Sequence, residues 1–212
     1  MSHVNESDNT TQNVTLKSLI PYFILGATIY LVILFFGYLV GVAQPADAIQ
    51  VAHKFQVVQG NILNSQPVYI ETFLFFVNNA FLGFLTLYAG YMFAQGTGYW
   101  FGSVVTTLFS ATQIGAIISS ISNKVGMKFT LIAILPHGIF ELSAIFACLG
   151  MGIMLGYKIM LKRCEEPEAT CSNLVKRCQI IFAKYIIPLY LVAAIIEGYV
   201  TPAIIQLALH YR

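Results

Sequence analysis

The segment Pro136-His137-Gly138-Ile139-Phe140-Glu141 puts two ionisable side chains inside a long apolar stretch, residues 129–157. Glu197 stands inside a second such stretch, residues 185–209. Each glutamate is the only acidic residue of its stretch. His137 precedes Glu141 by four positions, so on a helix the two share a face. An ionisable group at the centre of a bilayer costs about 2.5–3.5 kcal/mol on insertion scales, so it normally faces the bundle interior or a wet cavity and has a partner. Asn78 and Asn79 add two amides to a third apolar stretch, where lipid offers them no hydrogen bond. His137, Glu141, Glu197, Asn78 and Asn79 therefore form the candidate intramembrane polar site.

Three chemistries suit these side chains. They could bind a cation, relay protons or grip a polar group of a partner. A bland alternative is a mutually satisfied cluster that fixes helix register. One imidazole and two carboxylates also resemble an open zinc site with water as the fourth ligand. However, the chain has no His-Glu-x-x-His element, and His3, His53 and His210 fall outside the expected spans. Ser143 is close to His137 in sequence but has no nucleophile motif around it. The sequence thus assigns no catalytic residue, implies no cofactor and leaves any metal open.

The elements that must hold these residues are membrane helices. Of 212 residues, 58% are hydrophobic and only 9% charged, whereas soluble domains carry roughly 25% charged residues. No Asp, Glu, Lys or Arg occurs between Lys17 and Asp47, or between Glu71 and Lys124. A span needs about 20 mostly apolar residues, so the first run holds one span and the second holds two. The expected fold is all-α: a polytopic bundle of about five transmembrane helices at residues 19–42, 70–94, 99–121, 129–157 and 185–209. A polar tail, residues 1–17, precedes a single membrane domain, residues 18–209. Residues 44–64 carry apolar side chains at helical spacing and predict an amphipathic helix in the first loop. Residues 158–184 are the only densely charged region and predict a loop.

The fourth stretch is long for one straight span. Pro136 and Gly138 predict a break in it, because proline removes a backbone donor and disfavours helix just before itself. Pro202 predicts a second break, late in the last span. Gly37 and Gly41 stand four apart and allow a close helix neighbour. Tyr69, Tyr91, Tyr99 and Trp100 read as anchors at the membrane interface. Cys164, Cys171 and Cys178 recur every seven residues, but Pro167 interrupts the helix that would align them.

Lysine and arginine set the expected orientation. With five spans, the N-terminal side carries seven of them (Lys17, Lys158, Lys162, Arg163, Lys176, Arg177 and Lys184), and the other side carries Lys54, Lys124, Lys128 and Arg212. This predicts a cytoplasmic N-terminus in the cell membrane. Asn5, Asn9 and Asn13 fit the glycosylation pattern and point the other way, but in a tail this rich in Asn and Thr such matches arise by composition. A net charge of +2 gives no reason to expect a nucleic acid. The expected partners are the lipid bilayer, other membrane proteins and further copies of the chain.

Three elements together resemble a known family. Phe76-Val77-Asn78-Asn79 leads into a glycine-containing span. Pro136-His137-Gly138-Ile139-Phe140-Glu141-Leu142 is followed by small residues. Ala193-Ala194-Ile195-Ile196-Glu197-Gly198-Tyr199-Val200-Thr201-Pro202 comes near the end. Their order and spacing, over residues 70–202, resemble the stage II sporulation protein M family of integral membrane proteins. That resemblance implies a non-enzymatic membrane scaffold or assembly factor, since the namesake holds cell-wall hydrolases at the engulfing septum of spore formers. Relatives also occur in organisms that form no spores, so it does not imply sporulation. A small cation or proton transporter is the second expectation and an intramembrane hydrolase the third.

Overall fold

A computed structural model describes residues 16–48, 50, 67–97, 101–162 and 169–204. Among these residues there are helices and no strands. We name them α1 (Leu16–Ala43), α2 (Val68–Thr97), α3 (Gly102–Val125), α4 (Met127–Lys162), α5 (Ala169–Ile181) and α6 (Ile187–Ile195). Five stretches are long and apolar enough to cross a membrane: Lys17–Ala43, Val68–Gly96, Gly102–Val125, Met127–Leu161 and Ser172–Ile204. The last of these threads α5 and α6 into one fifth span. The chain is an all-α polytopic membrane protein.

Helix α4 is the axis of the bundle. In its most apolar window 56% of residues are buried by protein, against 17–33% in the other four spans. Residues 148–156 are buried without interruption, and a helix apolar on every side is one surrounded by neighbours. One core cluster joins α4 to α2 and the fifth span through Leu87, Cys148, Met154, Leu155, Ile186 and Tyr190. A second joins α4 to α1 and α3 through Tyr30, Ala111, Leu149 and Ile153.

Small residues let the backbones meet. A methyl group added at Gly37 would strike the backbone of Thr112, and one added at Gly115 would strike the Leu34 carbonyl, so α1 and α3 cross at backbone contact. Gly26 and Gly150 do the same for α1 and α4: a Cβ at Gly26 would lie 2.6 Å from the Phe146 carbonyl oxygen. Ser103 fixes the α2–α3 crossing by donating a 2.6 Å hydrogen bond to the Thr86 carbonyl.

Three expectations need correction. First, α4 is not broken: it runs as one 36-residue helix with Pro136 inside it. Proline costs one backbone bond there, but breaking the helix would free several groups that lipid cannot satisfy, at several kcal/mol each. Gly138 also stays helical. Second, Pro202 does not end the last helix, which is described as far as residue 204. The distortion falls just before it, as a wide turn over Ile196–Val200 with the Thr201 N–H bonded to the Ile196 carbonyl. The same arrangement, over Phe182–Ile186, precedes Pro188. A proline ring collides with the carbonyl four residues back, and an extra residue in the turn moves that carbonyl aside.

Third, the charged region is largely helical. Within residues 158–184, residues 158–162 and 169–184 are helical. Leu174, Val175, Cys178, Ile181 and Phe182 face the core while Lys176 and Arg177 stay exposed, so the charges lie on the outer face of an amphipathic helix. Pro21 lies inside α1, which begins at Leu16. Of the expected amphipathic segment, residues 45–48 and 50 are helical. Its remainder, with the side chains of Cys164 and Cys171, lies outside the described residues.

Candidate functional site

The site is built on the seam between α4 and the fifth span. These helices run antiparallel, and their contacts keep one register. The ring nitrogen Nδ1 of His137 lies 3.3 Å from the Thr201 hydroxyl. Four residues on along α4 and four back along the fifth span, Glu141 faces Glu197. Seven further on and seven further back, Cys148 Sγ lies 3.9 Å from the Tyr190 hydroxyl. Between these layers stand Ala144 and Ala194, both fully buried, which keep the helices close. Steps of four and seven stay on one helical face, so the sequence spacing on each helix lines these residues along the seam.

Histidine and the two glutamates converge. Candidate ligand atoms of His137, Glu141 and Glu197 all lie within 4.8 Å of one another, and the three side chains are partly buried. His137 makes no ion pair or hydrogen bond with either carboxylate; its described partner is Thr201. Among the described residues no side chain donates a hydrogen bond to either glutamate. Nearby hydroxyls are spent on their own helices: Ser143 donates to the Ile139 carbonyl at 2.7 Å and Thr72 to the Val68 carbonyl at 2.9 Å. Helix α2 closes the site on one side, since a Cβ at Gly198, beside Glu197, would run into the Thr72 hydroxyl.

The depth of the site follows from the lysines. Lys128 and Lys158 stand thirty positions apart on α4, about 45 Å of helix, which matches a bilayer with its headgroups at about 40–45 Å. Glu141 is thirteen positions from Lys128, and Glu197 thirteen beyond Lys184, each about 20 Å in. Both carboxylates sit near the middle of the membrane. Two carboxylates this close repel when both are charged. A proton or a cation between them relieves that repulsion, and one imidazole with two carboxylates could hold a metal ion.

Among the described residues, Asn78 and Asn79 make no hydrogen bond to this cluster. Their amides hydrogen-bond each other, Asn78 Nδ2 to Asn79 Oδ1 at 3.2 Å, and Asn78 is exposed toward the lipid. Sequence reasoning missed three other groups. Thr201 entered only as part of the Glu-x-x-x-Thr-Pro element, although its spacing from Glu197 puts it on the same face. Tyr190 and Tyr30 are buried, and Glu141 lies within electrostatic reach of both. The Tyr30 hydroxyl has no hydrogen-bond partner among the described residues. Nothing in the sequence marks these tyrosines, which resemble the interface anchors found throughout membrane proteins.

Comparison with known proteins bears on the whole seam. An uncharacterized protein of Methanocaldococcus jannaschii is 30% identical over 114 residues, 53% of this chain and 64% of its own length. The chain thus spans less than two thirds of that relative. No solved structure matches it. The profile of the family described as Stage II sporulation protein M matches residues 18–202. That range holds all five apolar spans as far as the His137–Thr201 pair, and the chain belongs to the stage II sporulation protein M family.

Proposed function

We propose that this membrane protein binds a cation, proton included, between His137, Glu141 and Glu197 and passes it across the bilayer. One observation carries the reading: three ligand groups meet at mid-membrane without satisfying one another. A cluster kept only for helix register would close into hydrogen bonds of about 2.7–3.2 Å. On this reading the protein is not an enzyme. It works in the cell membrane, with its N-terminus cytoplasmic as the lysine and arginine distribution favours, surrounded by lipid and by further copies of itself. The test is flux in liposomes loaded with a pH- or metal-sensitive dye. Glu141→Gln and Glu197→Gln should each reduce flux at least tenfold while the protein remains helical and monodisperse. Undiminished flux in both variants would defeat the reading.

The resemblance to the family's namesake implies a second reading, a scaffold that organises other membrane proteins. Tagged purification from native membranes in mild detergent separates the two. A partner recovered reproducibly at near-equal amount supports the scaffold. The chain recovered alone, as an oligomer of itself, supports cation handling.

A further inference from the structure

We propose that the cation held by His137, Glu141 and Glu197 is a divalent transition metal ion of the zinc type, and that Thr201 positions His137 for it. This rests on the reading of the cluster as a cation site, and goes further by naming the ion class.

The donor set decides the class. Magnesium and calcium take oxygen ligands, and a site for them gains nothing from an imidazole. An imidazole nitrogen suits zinc, copper, iron and nickel. Two carboxylates supply two negative charges, which match a divalent ion and leave no net charge at mid-membrane. The spacing agrees. Ligand bonds of about 2.0–2.2 Å place neighbouring ligands about 3.4 Å apart in a tetrahedral site, and groups already within 4.8 Å reach that by small side-chain rotations.

The histidine is prepared for this task. Its Nδ1 faces the Thr201 hydroxyl at 3.3 Å. With the proton on Nδ1, donated to the Thr201 oxygen, Nε2 carries the lone pair that binds a metal. A ligating histidine nearly always has its other nitrogen held in this way, and loss of that partner typically weakens metal binding 10–100-fold. Thr201 is itself buried and sits on the turn after Glu197, so one helix supplies a ligand and the group that orients another. Three protein ligands also leave a coordination position open. Structural zinc sites are closed by four protein ligands, whereas an open position permits the exchange that passage of an ion requires.

The experiment uses the full chain in nanodiscs, stripped with a chelator and titrated with Co2+, read by its visible absorption, and with Zn2+, read by elemental analysis. The expected result is one ion per chain at a site lost in His137→Gln, Glu141→Gln and Glu197→Gln. Thr201→Val should weaken that site about 10–100-fold, and Thr201→Ser should restore it. Circular dichroism and gel filtration confirm that each variant is folded; if a ligand variant is not, the Thr201 pair still decides. Failure of the wild type to take up Co2+ or Zn2+, with proton flux in liposomes still dependent on Glu141, would overturn the metal and leave the cation reading standing. Neither metal uptake nor flux would overturn both. Uptake indifferent to His137, Glu141 and Glu197 would place the metal elsewhere and overturn the assignment.

Discussion

Two of the seams that helix α4 makes, with α1 and with the fifth span, are built in opposite ways. Against α1, Gly26 and Gly150 bring backbone to backbone, and the rings of Phe23, Tyr30 and Phe146 pack edge to face with centroids 5.7–6.0 Å apart. Against the fifth span, the same helix presents His137, Glu141 and Cys148 to Thr201, Glu197 and Tyr190. The first seam is closed by contact alone. The second carries ionisable groups at a depth where charge is costly, and its carboxylates find no donor among the described residues. A membrane protein that needed only a stable α4 could have built both sides like the first. On the proposed reading, the fifth-span side handles the cation and the α1 side holds the architecture.

The comparison can be broken from either side, and the largest effect is expected at its centre. Glu141→Lys brings a second basic group beside His137 in place of a carboxylate. It should abolish recovery of monodisperse protein from detergent extracts; a well-expressed, well-behaved variant would show that Glu141 is not enclosed. Next comes the glycine seam. Gly150→Val pushes a branched side chain into the Tyr22 carbonyl, and overpacking of this kind costs about 1–3 kcal/mol or more. Thermal unfolding should shift down in this variant while any protein that remains folded still handles cations. A normal melting temperature would mean that α1 can move away from α4 at little cost. The smallest effect is expected at Asn78→Ala. Its amide bonds only its neighbour on the lipid-facing side, so stability should change by less than about 1 kcal/mol and flux should not change. A large loss of flux would bring Asn78 back into the site.

Much of this was legible in the residues. Charge-free runs and apolar length gave five spans, because a helix must be about 20 apolar residues long to cross lipid. The interval of four between His137 and Glu141 gave their common face. Other features escaped because competing forces decided them. Pro136 reads as a break, but inside lipid the cost of unpaired backbone keeps the helix going. Lys176 and Arg177 read as loop, yet Leu174, Val175, Cys178 and Ile181 bury the opposite face of that helix. Asn78 and Asn79 read as part of the site, and in the structure their amides pair with each other. Tyr190 and Tyr30 carried no signal, since an apolar ring with a polar tip fits a span end as well as a core.

The sequence by itself determined the class of molecule: a helical membrane protein with ionisable groups held deep in two spans. It determined which residues share a face, since helical periodicity is local. Only the tertiary structure decided that the face holding His137 and Glu141 meets the one holding Glu197 and Thr201, residues some sixty positions away. Periodicity fixes the direction of a side chain from its own helix and says nothing about which neighbour lies there. That choice is made by the packing of the whole bundle, where glycines and alanines on distant helices set which backbones can approach and in what register.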